Sequence, residues 1–131
     1  MPWPVVYYRK SDGTEPADEF IRTQPPAAQA AIDNYIERLA LFGPALGYPS
    51  TSQVDGELRE LRPDLGNTHY RLLYRRTDNV FVILHAFIKP GGKIARAEIE
   101  IAHRRWEDLK ARMGAVPRHP PRALGHEAPG S

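Results

Sequence analysis

The sequence contains no cysteine, and none of its apolar runs is long. Without cysteine the chain forms no disulfide and has no thiolate to bind a metal, so the redox compartment is left open. A membrane span needs roughly 20 apolar residues, a length that no run in this sequence approaches. The N-terminus also lacks a basic region followed by an apolar stretch. We therefore expect a soluble, cytoplasmic protein that contacts no membrane.

The formal net charge is only +2, but the charges are unevenly distributed. Residues 1–55 hold four basic and seven acidic side chains, a balance of −3, whereas residues 56–131 hold 14 basic and nine acidic ones, a balance of +5. A basic C-terminal half favours contact with a polyanion such as nucleic acid. The length of 131 residues fits one domain with a moderate core.

Three runs between residues 57 and 88 are rich in β-branched and aromatic side chains. They cover 57–62, 69–76 and 80–88 and are separated by turn residues, which predicts a three-stranded antiparallel meander. In the third run both alternating sets are apolar, so this strand is predicted to be central and covered on both faces. One set consists of Val80, Val82, Leu84, Ala86 and Ile88, and the other of Phe81, Ile83, His85 and Phe87.

Two helices are predicted before the meander, after a short strand over residues 3–8. The first helix covers 15–22 with Thr14 as its N-cap, and the second begins at Pro25-Pro26 and ends at Phe42. The apolar stripe of the second helix consists of Ala28, Ile32, Tyr35, Leu39 and Phe42. We expect the two helices to form a hairpin on one face of the sheet, followed by a loop over 43–56.

A third helix is predicted after the meander, over residues 93–113. Arg104 and Arg105 lie off its apolar stripe and are expected on a solvated face. The stripe consists of Ala95, Ile99, Ala102, Trp106, Leu109 and Met113. Residues 114–131 contain many prolines and few apolar side chains. We therefore predict one domain over 1–113 and a disordered, dispensable tail over 114–131.

Five stretches carry a family resemblance: LALFGP (39–44), GELRELR (56–62), YRLLY (70–74), ILHAFIK (83–89) and EIEIA (98–102). Their order and spacing resemble the RelE/ParE superfamily of bacterial toxins, in its phage-derived RelE-like and HigB-type branch. The resemblance covers roughly residues 4–112. It implies an α+β fold of order β-α-α-β-β-β-α with a small, mostly antiparallel sheet. A helical hairpin would lie on one face and a basic concave groove on the other, and a C-terminal helix would follow the sheet.

The resemblance also implies the toxin of a type II toxin–antitoxin system. Such a toxin cuts messenger RNA on the ribosome, blocks translation and uses no metal or other cofactor. A cognate antitoxin, expected to be a helix-turn-helix DNA-binding protein, would inhibit it. The alternative is a non-catalytic toxin of the same fold that inhibits another macromolecule, such as DNA gyrase. Because the sequence shows no obvious acid–base pair, both functions stay open.

Metal-free RNA cleavage needs a proton acceptor, a proton donor and positive charge on the reacting phosphate. Arg71 occupies the position in the Tyr-Arg-Leu stretch where the family keeps a basic phosphate-binding residue, and its guanidinium can bind two phosphate oxygens. Its alternative is an ion pair with Glu57 or Glu60. Arg62, Lys89 and Lys93 are predicted to surround the same phosphate.

Glu60 and His85 are the candidates for proton transfer, and each has a structural alternative. Glu60 stands where the best-known nucleases of the family carry lysines, and it could form an interstrand ion pair instead. His85 titrates near neutrality, but it lies among apolar residues and could be a hydrogen-bonded core histidine. The predicted RNA contacts are Arg59, Arg75, Arg96 and Tyr74. Tyr74 could also belong to the core, and arginines on edge strands are often merely solvated.

Overall fold

The structure, a computed structural model, describes residues 3–114 and 121–128 and contains one mixed sheet with helices on both faces. The strands are β1 (Val5–Tyr7), β2 (Thr51–Asp55), β3 (Leu58–Leu61), β4 (Asp64–Leu65), β5 (Thr68–Thr77) and β6 (Val80–Lys89). The helices are α1 (Pro16–Arg22), α2 (Pro26–Phe42), α3 (Arg96–Gly114) and α4 (Pro121–Leu124), and a 3-10 turn (Gly43–Ala45) follows α2. No helix in these described ranges is long and apolar enough to cross a membrane.

The sheet has the strand order β1-β6-β5-β3-β2, with the short β4 paired to the start of β5. Strands β3, β5 and β6 form the predicted antiparallel meander. β1 pairs in parallel with β6, with Val5 opposite Phe81. β6 therefore lies inside the sheet, as its two apolar faces predict. The predicted α+β fold is confirmed, with β2, β4 and α4 as additions to the expected order.

Helices cover both faces of the sheet. The predicted hairpin of α1 and α2 packs on one face through Ile21, Ile32 and Leu39, which meet Leu72 and Ile83 of the sheet. We call this the hairpin side. On the opposite face, the α3 side, the predicted stripe of α3 buries Ile99, Ala102, Trp106 and Leu109 against a sheet surface that includes Leu73 and Leu84. α3 covers much of this face, and one open concave surface lies near its N-terminal end.

A bulge in β6 changes which face several side chains occupy. Leu73 pairs with His85 and Tyr74 with Ile83, so Leu84 is an extra residue on β6. His85 and Phe87 consequently lie on the α3 side with Leu84, whereas Ala86 packs on the hairpin side. The prediction that Phe81, Ile83, His85 and Phe87 share one face is therefore wrong. A simple period of two fails wherever one strand carries an extra residue.

Several predicted boundaries also differ from the structure. α1 begins at Pro16 after Glu15, and Thr14 bonds to Asp12 in the preceding turn instead of capping the helix. In α2 the predicted Ala28, Ile32 and Leu39 are buried together with Ile36 and Ala40, whereas Tyr35 is partly exposed and Phe42 is exposed. α3 begins at Arg96, three residues after the predicted start. The predicted loop over 43–56 contains β2, whose polar sequence shows no apolar alternation.

The described part of the tail packs against β1. Ala128 donates its backbone N–H to Val5 O (2.7 Å), and Tyr7 donates its own to His126 O (3.3 Å). Leu124 and Ala128 are buried. This arrangement differs from the predicted disordered tail, because residues 121–128 cover the otherwise unpaired edge of β1. Residues 115–120 and 129–131, also part of that prediction, lie outside the described residues.

Candidate active site

A cavity of about 310 Å³ lies between the sheet and the N-terminal end of α3. We call it the α3 cavity. Three of the predicted catalytic residues line it: Glu60 from β3, Lys89 at the end of β6, and Lys93 in the connection to α3. Gln53, Val54, Gly92, Ile94 and Ile99 complete the lining. The meander and α3 together therefore bring two cations and one carboxylate to a single concave surface.

Glu60 is held in the wall of this cavity and is only 8% exposed. Its cross-strand neighbour Ser52 donates a hydrogen bond to Oε2 (2.5 Å), and Arg62 Nε lies 3.6 Å from the same oxygen. Arg71 Nε lies 3.4 Å from Oε1. No residue in the described part of the chain donates a hydrogen bond to that oxygen. Glu60 is therefore firmly positioned, with Oε1 buried beside Arg71 and without a hydrogen-bond donor among the described residues.

Arg71 is buried, with 2% of its surface exposed. Its Nη1 donates to Asp64 Oδ1 (2.8 Å) and to Tyr70 O (2.7 Å). Partial burial of Asp64 acts to raise its pKa, but hydrogen bonds from Arg71 and His69 hold that pKa below its usual value. The geometry therefore matches the ion-pair interpretation of Arg71, with Asp64 as an additional partner that the sequence did not indicate.

The lysines of the cavity are differently placed from the arginines. Neither Lys89 nor Lys93 forms an ion pair with any residue in the described ranges. Arg62, by contrast, donates to Pro49 O (3.2 Å) and lies 5.2 Å from the centre of the Tyr48 ring. The positive charge that remains available to an anion in this cavity is thus mainly that of the two lysines.

His85 lies outside the lining of the α3 cavity, in a cluster with Glu98 and Arg105 of α3. Its Nε2 is 2.7 Å from Glu98 Oε1, and its Nδ1 is 3.3 Å from Arg105 Nη1, which also donates to Leu84 O. Because arginine can only donate, Nδ1 is the acceptor and Nε2–H donates to Glu98. The arrangement agrees with the interpretation of His85 as a hydrogen-bonded core histidine.

The environment of His85 predicts a pH dependence of stability. Burial lowers the pKa of His85, an effect that the Arg105 charge reinforces and Glu98 opposes. As the pH falls through about 6.5, the unfolded chain accepts a proton that the folded chain resists, so the stabilisation present above this pH is lost below it. His85→Gln keeps a donor for Glu98 but does not titrate. Its urea midpoint should therefore fall less than that of the wild type between about pH 7.5 and pH 5.5. If the urea midpoints of the wild type and His85→Gln fell equally, His85 would not be the group that causes the pH dependence.

The other predicted RNA contacts are not brought to the α3 cavity. Tyr74 is buried on the hairpin side, where its hydroxyl is 2.7 Å from Thr51 Oγ1. Arg75 lies over the Trp106 ring, 4.5 Å from its centre, and pairs with Glu57. Exposed Arg96 pairs with Glu100 (2.8 Å) and Asp55 (3.5 Å). Arg59 faces a different cavity on the hairpin side.

Sequence reasoning missed the residues that position the candidate side chains. Ser52 falls in the segment predicted as a loop, and Asp64 falls in a predicted turn. Glu98 and Arg105 lie on a helix face that the apolar stripe leaves to solvent. The spacing of Glu98 and Arg105, seven residues or two helical turns, does place them on one face of α3, but only the bulge at Leu84 brings His85 to them.

A separate group of potential metal ligands lies where the tail meets α1. Glu15, Asp18 and His126 have ligand atoms close enough together to share an ion. Glu15, however, already accepts from Arg9 (2.8 Å) and from the backbone N–H of His126 (3.0 Å), and its other oxygen contacts the His126 ring. These contacts account for the cluster as an ion pair that fastens the tail.

A family model described as "Phage derived protein Gp49-like (DUF891)" matches residues 19–107. The match covers more than half of the chain and includes every predicted site residue. Among curated proteins, none matches the chain. The Gp49-like family is RelE/HigB-like and is associated with the toxins of toxin–antitoxin systems, which implies an antitoxin as partner. The fold, the meander and the matched family model agree, and the chain belongs to the phage-derived Gp49-like family of RelE/HigB-like toxins.

Proposed function

We propose that the protein is a toxin that cuts messenger RNA on the ribosome without a metal ion. One observation carries the proposal: the Glu60 carboxylate lines the α3 cavity together with two lysines that form no ion pair in the described ranges. RNA cleavage by the ribose 2′-hydroxyl needs a proton acceptor, a donor and positive charge within one site. Glu60, Lys89 and Lys93 supply these three functions.

In the proposed reaction the Glu60 carboxylate, reached from the α3 cavity that it lines, takes the proton of the 2′-hydroxyl. The 2′-oxygen attacks the phosphorus, and the bond from phosphorus to the 5′-oxygen breaks. The ammonium group of Lys89 or Lys93 stabilises the charge on the phosphate oxygens, and one of the two donates a proton to the leaving 5′-oxygen. The products are a 2′,3′-cyclic phosphate and a 5′-hydroxyl, so no water and no metal enters this step.

Ser52, Arg62 and Arg71 act in this proposal as positioning residues. The hydroxyl of Ser52 and the guanidinium of Arg62 approach Oε2, and Arg71 Nε approaches Oε1, so both carboxylate oxygens are held in place. Arg71 holds Glu60 through the contact between its Nε and Glu60 Oε1, and Arg71 is itself held by its ion pair with Asp64. Preorganised groups of this kind lower the reorganisation needed at the moment of reaction. Arg71 thus supports the site from within the protein, and the lysines contact the phosphate.

The proposal predicts that the two lysines are needed for cleavage. Loss of a charged hydrogen-bond donor to phosphate costs enough to slow cleavage about tenfold for Lys89→Ala or Lys93→Ala, and about a hundredfold for both together. The measurement is cleavage of a messenger bound to purified ribosomes. Lys10→Ala is a matched control, because Lys10 is also exposed and borders a cavity away from Glu60. Cleavage at the wild-type rate in the double variant would refute the proposal.

Induced expression should arrest growth by blocking translation. Undiminished incorporation of amino acids during growth arrest, together with inhibited supercoiling by DNA gyrase, would instead support the non-catalytic alternative. The two functions therefore predict opposite results in two standard measurements. Variants of Lys89 and Lys93 would then be expected to change toxicity only if the gyrase contact includes the α3 cavity.

A further inference from the structure

A second cavity, of about 470 Å³, lies on the hairpin side of the sheet beyond the end of α2. We call it the hairpin cavity. The 3-10 turn and Leu46 form one wall, and the strands supply Arg59, Tyr74, Arg76 and Phe81. Tyr74 and Phe81 belong to the core on the hairpin side, whereas Glu60 and the lysines belong to the α3 cavity. The two cavities are therefore separate sites.

Two arginines of the hairpin cavity have no acidic partner among the described residues. Arg59 and Arg76 form no ion pair there. Arg76 is held in place, because its Nε donates to Asp78 O (2.7 Å) and its guanidinium lies 4.9 Å from the centre of the Trp3 ring. Trp3 in turn packs so closely on Gly43 that a Cβ at this glycine would lie 2.3 Å from the indole Nε1. The cavity thus presents two arginines that pair with no carboxylate of the described residues, and one of them, Arg76, is held in place.

Exposed apolar side chains surround the same end of α2. Leu41 is 64% exposed and Phe42 is 52% exposed, and both immediately precede Gly43 in the cavity wall. Tyr48, which follows the lining residue Gly47, is 78% exposed. Large apolar side chains clustered on a surface and bordered by polar groups are typical of protein interaction sites. Arginine side chains thus line the cavity, and the exposed apolar residues that neighbour its lining along the chain form what we call its rim.

We propose that the hairpin cavity is the docking site for a segment of a partner protein that carries acidic side chains beside leucine-like ones. Carboxylates would pair with Arg59 and Arg76, and apolar side chains would cover Leu41 and Phe42. Arginine pairs with carboxylates through two parallel hydrogen bonds, which fixes the register of the segment. The association of the family with an antitoxin indicates what kind of protein the partner is. The proposal does not depend on RNA cleavage.

Nucleic acid fits the hairpin cavity less well than such a protein segment. α2 ends in this wall with no basic residue in its last turn, so the negative end of its helix dipole faces the site uncompensated. The carboxylate of Glu57 stands exposed among the lining residues. A nucleic acid would bring its phosphates close to both negative groups, the C-terminal end of α2 and Glu57. A single carboxylate can pair with one arginine and avoid them.

The test uses the isotope-labelled, full-length protein and a blocked peptide of alternating leucine and aspartate as the probe. Amide chemical shifts should change around Gly43, Arg59 and Arg76 on titration with this peptide. Arg59→Glu and Arg76→Glu should each weaken binding by about tenfold or more. Arg104→Glu is the matched control, because Arg104 is an exposed arginine of α3 with no ion pair in the described ranges and lies on the other face of the sheet.

Three results would overturn the proposal. The first is no shift change, or equal binding of a peptide in which asparagine replaces aspartate. The second is binding by Arg59→Glu and Arg76→Glu at the affinity of Arg104→Glu. The third is that oligouridylate shifts the same amides at lower concentration than the peptide does, which would assign the cavity to nucleic acid. If the arginine variants fail to fold, Leu41→Ser and Phe42→Ser provide the same comparison from the exposed rim. RNA cleavage is measured separately, so either proposal can fail alone.

Discussion

Arg71→Ala is expected to lower the free energy of unfolding by about 3–5 kcal/mol, the cost of breaking a buried ion pair by removing one partner. Arg71 and Glu60 are both buried, so the variant leaves the Glu60 carboxylate without its close cation. Asp64 is half-exposed and can be solvated after the change. Most of the cost therefore comes from Glu60. Urea unfolding of the wild type and the variant measures the difference directly.

Two further variants show how much of this loss of unfolding free energy depends on the burial of the charges and how much on charge alone. Arg62→Ala removes a guanidinium from the other oxygen of Glu60, but at 3.6 Å and with more solvent access, so it should cost only about 0.2–1 kcal/mol. The pair Glu60→Gln and Arg71→Met removes both buried charges and should recover most of the loss. If Arg71→Ala instead keeps wild-type stability and loses cleavage, Arg71 contacts the phosphate, as the family resemblance implies.

Release of the tail is the second large effect that the structure predicts. Gly125 lies so close to β1 that an added Cβ would be 1.5 Å from Tyr7 O, a backbone atom that cannot move aside. Gly125→Ala should therefore detach residues 121–128 and expose Leu124, which is now buried. The loss of a buried leucine contact is worth about 2–5 kcal/mol in the free energy of unfolding.

Gly114→Ala is the matched control for the tail, because nothing lies within 4 Å of a Cβ at Gly114. This variant should unfold at the wild-type urea concentration or slightly above it. Truncation after Gly114 should lower stability by as much as Gly125→Ala does. Equal unfolding midpoints for Gly125→Ala and Gly114→Ala would show that the contact with β1 contributes nothing, and the tail would then be dispensable, as its composition predicts.

The sequence predicts the framework of this fold because the main elements carry a clear apolar period. The meander follows from its β-prone runs and turns, and α3 follows from a stripe that steps by four and three. The same helical period predicted Tyr35 and Phe42 as buried residues of α2, whereas Ile36 and Ala40 are buried in the structure. Neighbouring apolar residues fit the period about equally well. The presence of each helix was therefore more predictable than its buried face.

The candidate site was less predictable, because local deviations decide it. The bulge at Leu84 moves His85 to the α3 side, and no residue pattern announces that extra position. Arg71 alternates with apolar residues like an exposed strand arginine, yet Asp64 and Glu60 close over it. The burial of Arg71 depends on how β3, β4 and β5 pack together. Lys89 and Lys93 were placed correctly at the exit of β6, since strand ends follow directly from the meander.

The parallel pairing of β1 with β6 also determines the order in which the chain can acquire its structure. Val5 pairs with Phe81, 76 positions later, whereas β5 and β6 are joined by a tight turn. At about 5–20 residues per second, synthesis separates these two partners by about 4–15 s. During that interval β1 has no strand to join, and residues 126–128, which cover its other edge, are synthesised later still. We therefore expect the meander to form first on a translating ribosome, and the edge that the tail protects to close last.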